Sequence, residues 1–253
     1  MAARVWRCTL WICTLALGCG AVAWGATLFP RFWQESFIES LARRIEAGEP
    51  YNAQILAGLR PELAAIEDAA QCRPAAVEAA AIIRLRMVEE AITRGERATI
   101  DARMTDLRRS IHVSLACSPA DPLLWTALFW LESTQNGFRP EYLEYLRMSY
   151  RLGPNEGPTG LKRNGRALAL YEQLPPDLAE AALDEFAHLL DAGYEGEMVQ
   201  VFTGPGWHVR SLILPRLRTV AALHRQAFEW QLHGQGYDVP VPGVARRLPR
   251  PWN

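Results

Sequence analysis

Five cysteines and five histidines are the side chains of this sequence with the most chemistry to offer. The histidines (His112, His188, His208, His224 and His233) are scattered, with no His-x-x-x-His pair, and no Cys-x-x-Cys accompanies them. That spacing gives no zinc-type ligand set, and no metal site is expected. No Gly-x-Ser-x-Gly, phosphate-binding loop or Gly-x-Gly-x-x-Gly is present, so neither a catalytic residue nor a cofactor site is assigned. Gly204-Pro205-Gly206 reads as a turn. Aromatic residues gather between Trp125 and Tyr150. Trp125 and Phe129 share a helical face and are expected in the core. Trp130, Tyr142 and Tyr150 are expected to line a groove that receives a partner's peptide or glycan.

The formal net charge of -1 excludes a global basic field, so nucleic acid is not an expected partner. From Cys8 to Phe29 run 22 residues without a charge, enough for a helix to cross the hydrocarbon core. Trp6, Trp24, Phe32 and Trp33 sit near its ends, where amphipathic rings prefer the headgroup level. Arg4 and Arg7 precede it with no acidic residue, which favours a cytoplasmic amino terminus. The expectation is a single-pass protein of the cell membrane: tail 1–7 in the cytoplasm, transmembrane signal anchor 8–29, and the rest outside. Two alternatives stay open, cleavage after Ala23 of a secretory signal and acylation of Cys19 in a loose lipobox.

The body, 30–235, shows helical spacing and no strand pattern. Phe37, Leu41 and Ile45 would line one face of a first helix ending near Gly48, and a short helix follows over 53–70. Ala81, Leu85, Val88 and Ile92 step at helical intervals, as do Ile100, Met104, Leu107, Ile111 and Leu115. Gly95 between the two runs suits a helix C-cap, so these helices should be antiparallel neighbours. Further helices are expected after Pro122 to Asn136, from Pro140 to Leu152, and over 161–171, 177–191 and 217–232. From Gly236 the chain carries Pro240, Pro242, Pro249 and Pro251 with Arg246, Arg247 and Arg250, and 236–253 is expected as an extended tail that does not order itself.

That topology gives Cys72 and Cys117 a meaning. They fall at the open end of one hairpin, and an oxidising compartment would allow a disulfide between them. Its closure would stabilise by roughly 3–4 kcal/mol on the chain-entropy model. The alternative is two independent buried thiols.

The breaks at 117–122 and 152–157 are offset by 35 residues. Trp125, Leu128, Tyr145 and Pro154 between them resemble the tetratricopeptide pattern of about 34 residues. The resemblance covers about 98–157, and departs from the pattern at Phe129 and Glu141. It implies a stack of helix hairpins whose concave face binds a partner; an unrelated helical bundle is the alternative. Glu132-Ser133 resembles the catalytic Glu-Ser of lytic transglycosylases, but Gly160-Leu161-Lys162-Arg163 departs from that family's downstream segment at two of four positions. The overall expectation is an all-α, membrane-anchored, non-enzymatic interaction or scaffold protein of the bacterial envelope. Its expected partner is an envelope protein or membrane complex, and envelope or exopolysaccharide assembly is the setting that the repeat resemblance implies. The alternatives are a structural subunit of a larger membrane complex and a peptidoglycan-cleaving enzyme.

Overall fold

The computed structural model describes residues 2–245; the side chains of 2–10, 12, 13, 27–32, 34 and 53 lie outside the described set. Within it every regular element is helical, so the all-α expectation holds. The chain divides into two compact units, one ending at Cys117 and the other beginning at Ser118.

The first unit begins with a single long helix, α1 (Ala2–Glu46), which contains the whole uncharged run. Among the described residues no helix is long and apolar enough to cross a membrane. Much of the run, including the side chains of Cys8, Leu10, Ile12, Cys13, Leu28 and Phe29, lies outside that set. The lower half of α1 buries Ile38, Leu41 and Ala42 and leaves Phe37 half exposed. The buried stripe is therefore rotated by about one residue from the expected Phe37, Leu41 and Ile45.

Two short helices follow, α2 (Ala53–Gly58), capped by the Asn52 side chain accepting from the Gln54 N–H, and α3 (Arg60–Glu67). Then comes the expected hairpin, α4 (Pro74–Arg94) and α5 (Arg97–Cys117). Gly95 ends α4 at φ 68°, a left-handed conformation that costs glycine little. Ala81, Leu85, Val88, Met104, Leu107, Ile111 and Leu115 are all buried, whereas Ile92 is exposed. α4 is enclosed on nearly all sides by α1, α2, α3 and α5, and Ala79, Ala80 and Ala81 allow that close approach. A buried ion pair sits in this packing: Arg84 donates from Nη2 to Glu67 Oε2 at 2.9 Å and lies 3.3 Å from Asp106, tying α3, α4 and α5 together. Cys72 and Cys117 are disulfide-bonded, with Cα atoms 5.5 Å apart.

The second unit comprises α6 (Pro122–Asn136), α7 (Leu143–Leu152), α8 (Gly157–Ala169), α9 (Pro176–Asp191), α10 (Glu195–Thr203), α11 (Arg210–Arg216) and α12 (Ala222–Gly234). α6 packs on α7, α8 on α9, and α10 on α12. Their shared core centres on Phe129, Phe186, Phe202 and Phe228. The last three meet edge-on or tilted at 5.4–6.2 Å between centroids, the arrangement that ring quadrupoles favour.

The tail departs from expectation. Tyr237 packs edge-on against Trp207 at 5.1 Å, Val241 is buried, and Arg225 Nη1 donates to the Pro242 carbonyl at 2.6 Å. Residues 236–245 are thus packed on the second unit, irregular from Tyr237 to Pro240 and closed by a turn in which the Val244 N–H donates to the Val241 carbonyl at 3.2 Å. Tyr237, Val239 and Val241 face the body while Asp238 and Pro240 are exposed, and prolines at 240 and 242 reduce the entropy lost on ordering the segment. The remainder of the expected tail, 246–253 with Arg246, Arg247 and Arg250, lies outside the described residues.

Candidate functional site

The aromatic cluster is carried by the α6–α7 hairpin, and its geometry starts at a cap. Asp121 precedes α6, and its Oδ1 accepts from the Leu123 and Leu124 N–H groups at 2.8 and 3.1 Å. Pro122 then occupies the first turn, where its missing N–H costs nothing. Burial raises the Asp121 carboxyl pKa, the two cap hydrogen bonds oppose that shift, and the Glu156 charge adds to it.

Phe129 enters the core as expected. Trp125 does not: it lies half-buried on the rim, with its indole Nε1 donating to the Pro119 carbonyl at 2.8 Å. Its ring stacks on Tyr145 at 5.9 Å and 25° between planes, and Tyr145 stacks on Tyr142 at 6.1 Å and 12°. Three near-parallel rings therefore form a ladder across the two helices. The Tyr145 phenol is held above its ordinary pKa by burial first, then by the nearby Glu132 and Tyr142 charges. It stays neutral and can donate a hydrogen bond.

The structure does not bring Trp130, Tyr142 and Tyr150 together. Tyr142 belongs to the ladder. Trp130 lies five residues after Trp125, on a different face of α6, half-buried beneath the Arg166 guanidinium at 5.8 Å. Tyr150 is turned inward, its ring under Arg163 at 4.0 Å and its hydroxyl donating to Glu185 Oε2 at 3.0 Å. Both its polar tip and one ring face are occupied inside the protein, which removes it from the expected groove.

Tyr150 leads to a feature that sequence reasoning missed. Arg163 on α8 is 0% exposed. It donates from Nε to Glu185 Oε1 at 3.0 Å, from Nη1 to Ser149 Oγ at 2.8 Å, and from Nη2 to the Gly153 carbonyl at 3.0 Å and to Glu185. Ser149 donates its one proton to the Pro122 carbonyl at 2.7 Å, so Thr126 Oγ1, 2.7 Å from Ser149 Oγ, must donate to that hydroxyl. Asn164 donates to the Ala182 carbonyl at 2.8 Å. Side chains from α6, α7, α8 and α9 are thus joined through one buried charge pair. Gly160 permits the approach: a Cβ there would sit 3.0 Å from Glu185 Oε1. Burial pushes the Glu185 carboxyl up, while Arg163, Tyr150 and Asn164 hold it down. The available signal was an arginine and an asparagine side by side on the apolar face of α8.

This placement bears on the residues of the lytic-enzyme resemblance. Gly160 and Arg163 are occupied in packing α8 onto α9. Glu132 accepts from Asn136 Nδ2 at 2.7 Å along its own helix. Among the described residues no group of three His, Cys, Asp or Glu side chains is disposed to hold a metal ion. What the hairpin offers chemically is therefore a set of apolar ring faces with hydroxyl edges on a firmly keyed base. No protein-family model matches the chain, and no curated protein or solved structure matches it.

Proposed function

We propose that this chain is a membrane-anchored docking module of the bacterial cell envelope, with its helical body on the non-cytoplasmic side. The Trp125–Tyr145–Tyr142 ladder carries the docking half of the proposal. It is partly exposed aromatic surface on a hairpin that a buried network holds still, and rigid aromatic anchors of this kind concentrate binding energy. The uncharged run of 22 residues inside the unbroken helix α1 supports the anchor. Trp11, Leu17 and Val22 on that helix are all exposed, which is favourable only against lipid or another apolar surface. A disulfide between Cys72 and Cys117 fits an oxidising compartment. α6 begins at Pro122 and α8 at Gly157, a spacing close to the period of the tetratricopeptide likeness read over about 98–157. Envelope or exopolysaccharide assembly is the setting the likeness implies.

The test is a photo-cross-linking residue at position 142 in the full chain, in intact cells. Adducts with one envelope protein or glycan should form there and be lost on Tyr145→Ala. No adduct at 142, with efficient adducts at Trp130, would place the docking surface elsewhere. A role as a subunit of a larger membrane complex is favoured by one observation. Ala16, Leu17, Gly20, Ala21 and Trp24 form a shallow groove on α1, and small residues there would let another membrane helix approach. Replacing the span by an unrelated apolar one separates the two roles, because only the docking module keeps working.

A further inference from the structure

The first unit contains a second apolar surface, unrelated to the ladder. A groove of about 1120 Å³ lies between α1 and the α3 segment, walled by Trp24, Trp33 and Phe37 on one side and by Pro61, Ala65 and Ile66 on the other. That volume is at or above the roughly 300–1,000 Å³ of ordinary small-ligand pockets. Trp24 also lines the shallow groove formed by Ala16, Leu17, Gly20 and Ala21. Trp24 is thus common to both, and links the groove to the proposed membrane span. Trp33 and Phe37, 67% and 51% exposed, lie beyond the end of the uncharged run. Among the described residues of this unit every exposed large apolar side chain except Ile92 lies between Trp11 and Ile55. The exposed apolar surface is thus concentrated at the anchor end, where it would otherwise face water at considerable cost.

The polar groups of the groove are as informative. Among the described residues three charged ones line it: Glu35 and Arg73, which pair with each other, and the exposed Glu62. A zwitterionic headgroup carries the same two charges, a phosphate for Arg73 and an ammonium for Glu35. Residues 31–73 contain five arginines against seven carboxylates, so an anionic headgroup gains no general attraction. Gln71 and Arg73, both lining the groove, flank Cys72, and the disulfide to Cys117 fixes that edge to the end of α5.

We infer that this groove holds a zwitterionic phospholipid of the bilayer, its acyl chain running down past Trp24 and its headgroup at the Glu35–Arg73 pair, beside Trp33. The inference rests on the proposed anchor. The first unit then stands on the membrane through α1 and the α3 edge together, with Trp33 at headgroup level. The experiment places a benzophenone amino acid at Ala69, an exposed groove residue, in the full chain reconstituted into phosphatidylethanolamine bilayers. Parallel chains carry it at Leu17 on the span and at Ala98 beside the α4–α5 turn; Ile66 provides a second groove position in case Ala69 is poorly tolerated. Phospholipid adducts should form at positions 17 and 69, several-fold above position 98, and adding phosphatidylglycerol should not raise the yield at 69. Adducts at 17 with only background at 69 and 66 would overturn the groove assignment and leave the anchor intact. Background at all positions would overturn the anchor and the groove with it. A groove adduct that requires phosphatidylglycerol would overturn the headgroup assignment.

Discussion

Arg163→Met is the substitution that most sharply probes how the second unit is held together. The side chain is fully enclosed, and its guanidinium serves Glu185, Ser149 and the Gly153 carbonyl at once. Methionine fills much of the volume but leaves a buried carboxylate without its cation. Breaking one partner of such a pair costs roughly 3–5 kcal/mol, which for a unit of this size lowers the thermal midpoint by roughly 10–20 °C. The pH dependence identifies the cause. Burial already raises the Glu185 pKa in the folded state. Its contribution is therefore most favourable below the ordinary glutamate value of about 4.3 and is lost as pH rises through the folded value. Removing Arg163 removes the largest influence holding that pKa down, so the folded value rises further. The defect of the variant should be full at neutral pH and shrink by about 1 kcal/mol or more on approaching pH 5. Denaturant unfolding of the full chain in detergent, followed by near-ultraviolet circular dichroism at several pH values, measures both effects. The double variant Arg163→Met/Glu185→Leu should recover roughly 2–3 kcal/mol relative to the sum of the single changes. A cost below about 1 kcal/mol, or one that does not change with pH, would refute this account of the network.

The remaining expectations concern the rim, the staple and the tail. Phe129→Ala should cost roughly 3–5 kcal/mol as a core cavity, whereas Trp125→Ala, on the rim, should cost about half as much; equal losses in denaturant titrations would contradict the rim placement. Non-reducing digestion should yield one linked peptide pair containing Cys72 and Cys117, and reduction should destabilise the first unit by roughly 3–4 kcal/mol. Free thiols at both positions in protein from an oxidising compartment would contradict it. A chain ending at Gln235 should be less stable than one ending at Ala245 by about 2 kcal/mol or more, because Val241 and Tyr237 lose their packing. Equal thermal midpoints would show that 236–245 contributes nothing.

The α4–α5 hairpin was legible because its signals are local: two runs at helical spacing and a glycine where only a left-handed residue ends the helix. From those the open end of the hairpin follows, and with it the meeting of Cys72 and Cys117. Other boundaries were less visible. α8 begins at Gly157, not near Leu161, because Gly157-Pro158 forms a first helical turn where proline lacks nothing, although the same dipeptide also reads as a break. α12 begins at Ala222, since Leu217–Thr219 forms a separate turn ended by the extended Val220. α10 was not foreseen, although Met198, Val199 and Phe202 share one face and all three are buried. The site was legible as a cluster and not as a surface. Composition places seven aromatics between Trp125 and Tyr150, but which ring faces outward depends on particular partners: Pro119 six residues before Trp125, and Glu185 for Tyr150 and Arg166 for Trp130, both distant in sequence. No spacing rule carries those contacts.

The central claim is that the helical body is held by α1 on the non-cytoplasmic side of a membrane. Its most direct test fuses, after Asn253, either a reporter that folds only outside the cytoplasm or one that fluoresces only inside it. Both fusions are then assayed in intact cells, with the cell fraction determined for each. The claim predicts membrane-bound activity from the first reporter and no signal from the second. Fluorescence from the cytoplasmic reporter, or either fusion recovered in the soluble fraction with α1 intact, would contradict it.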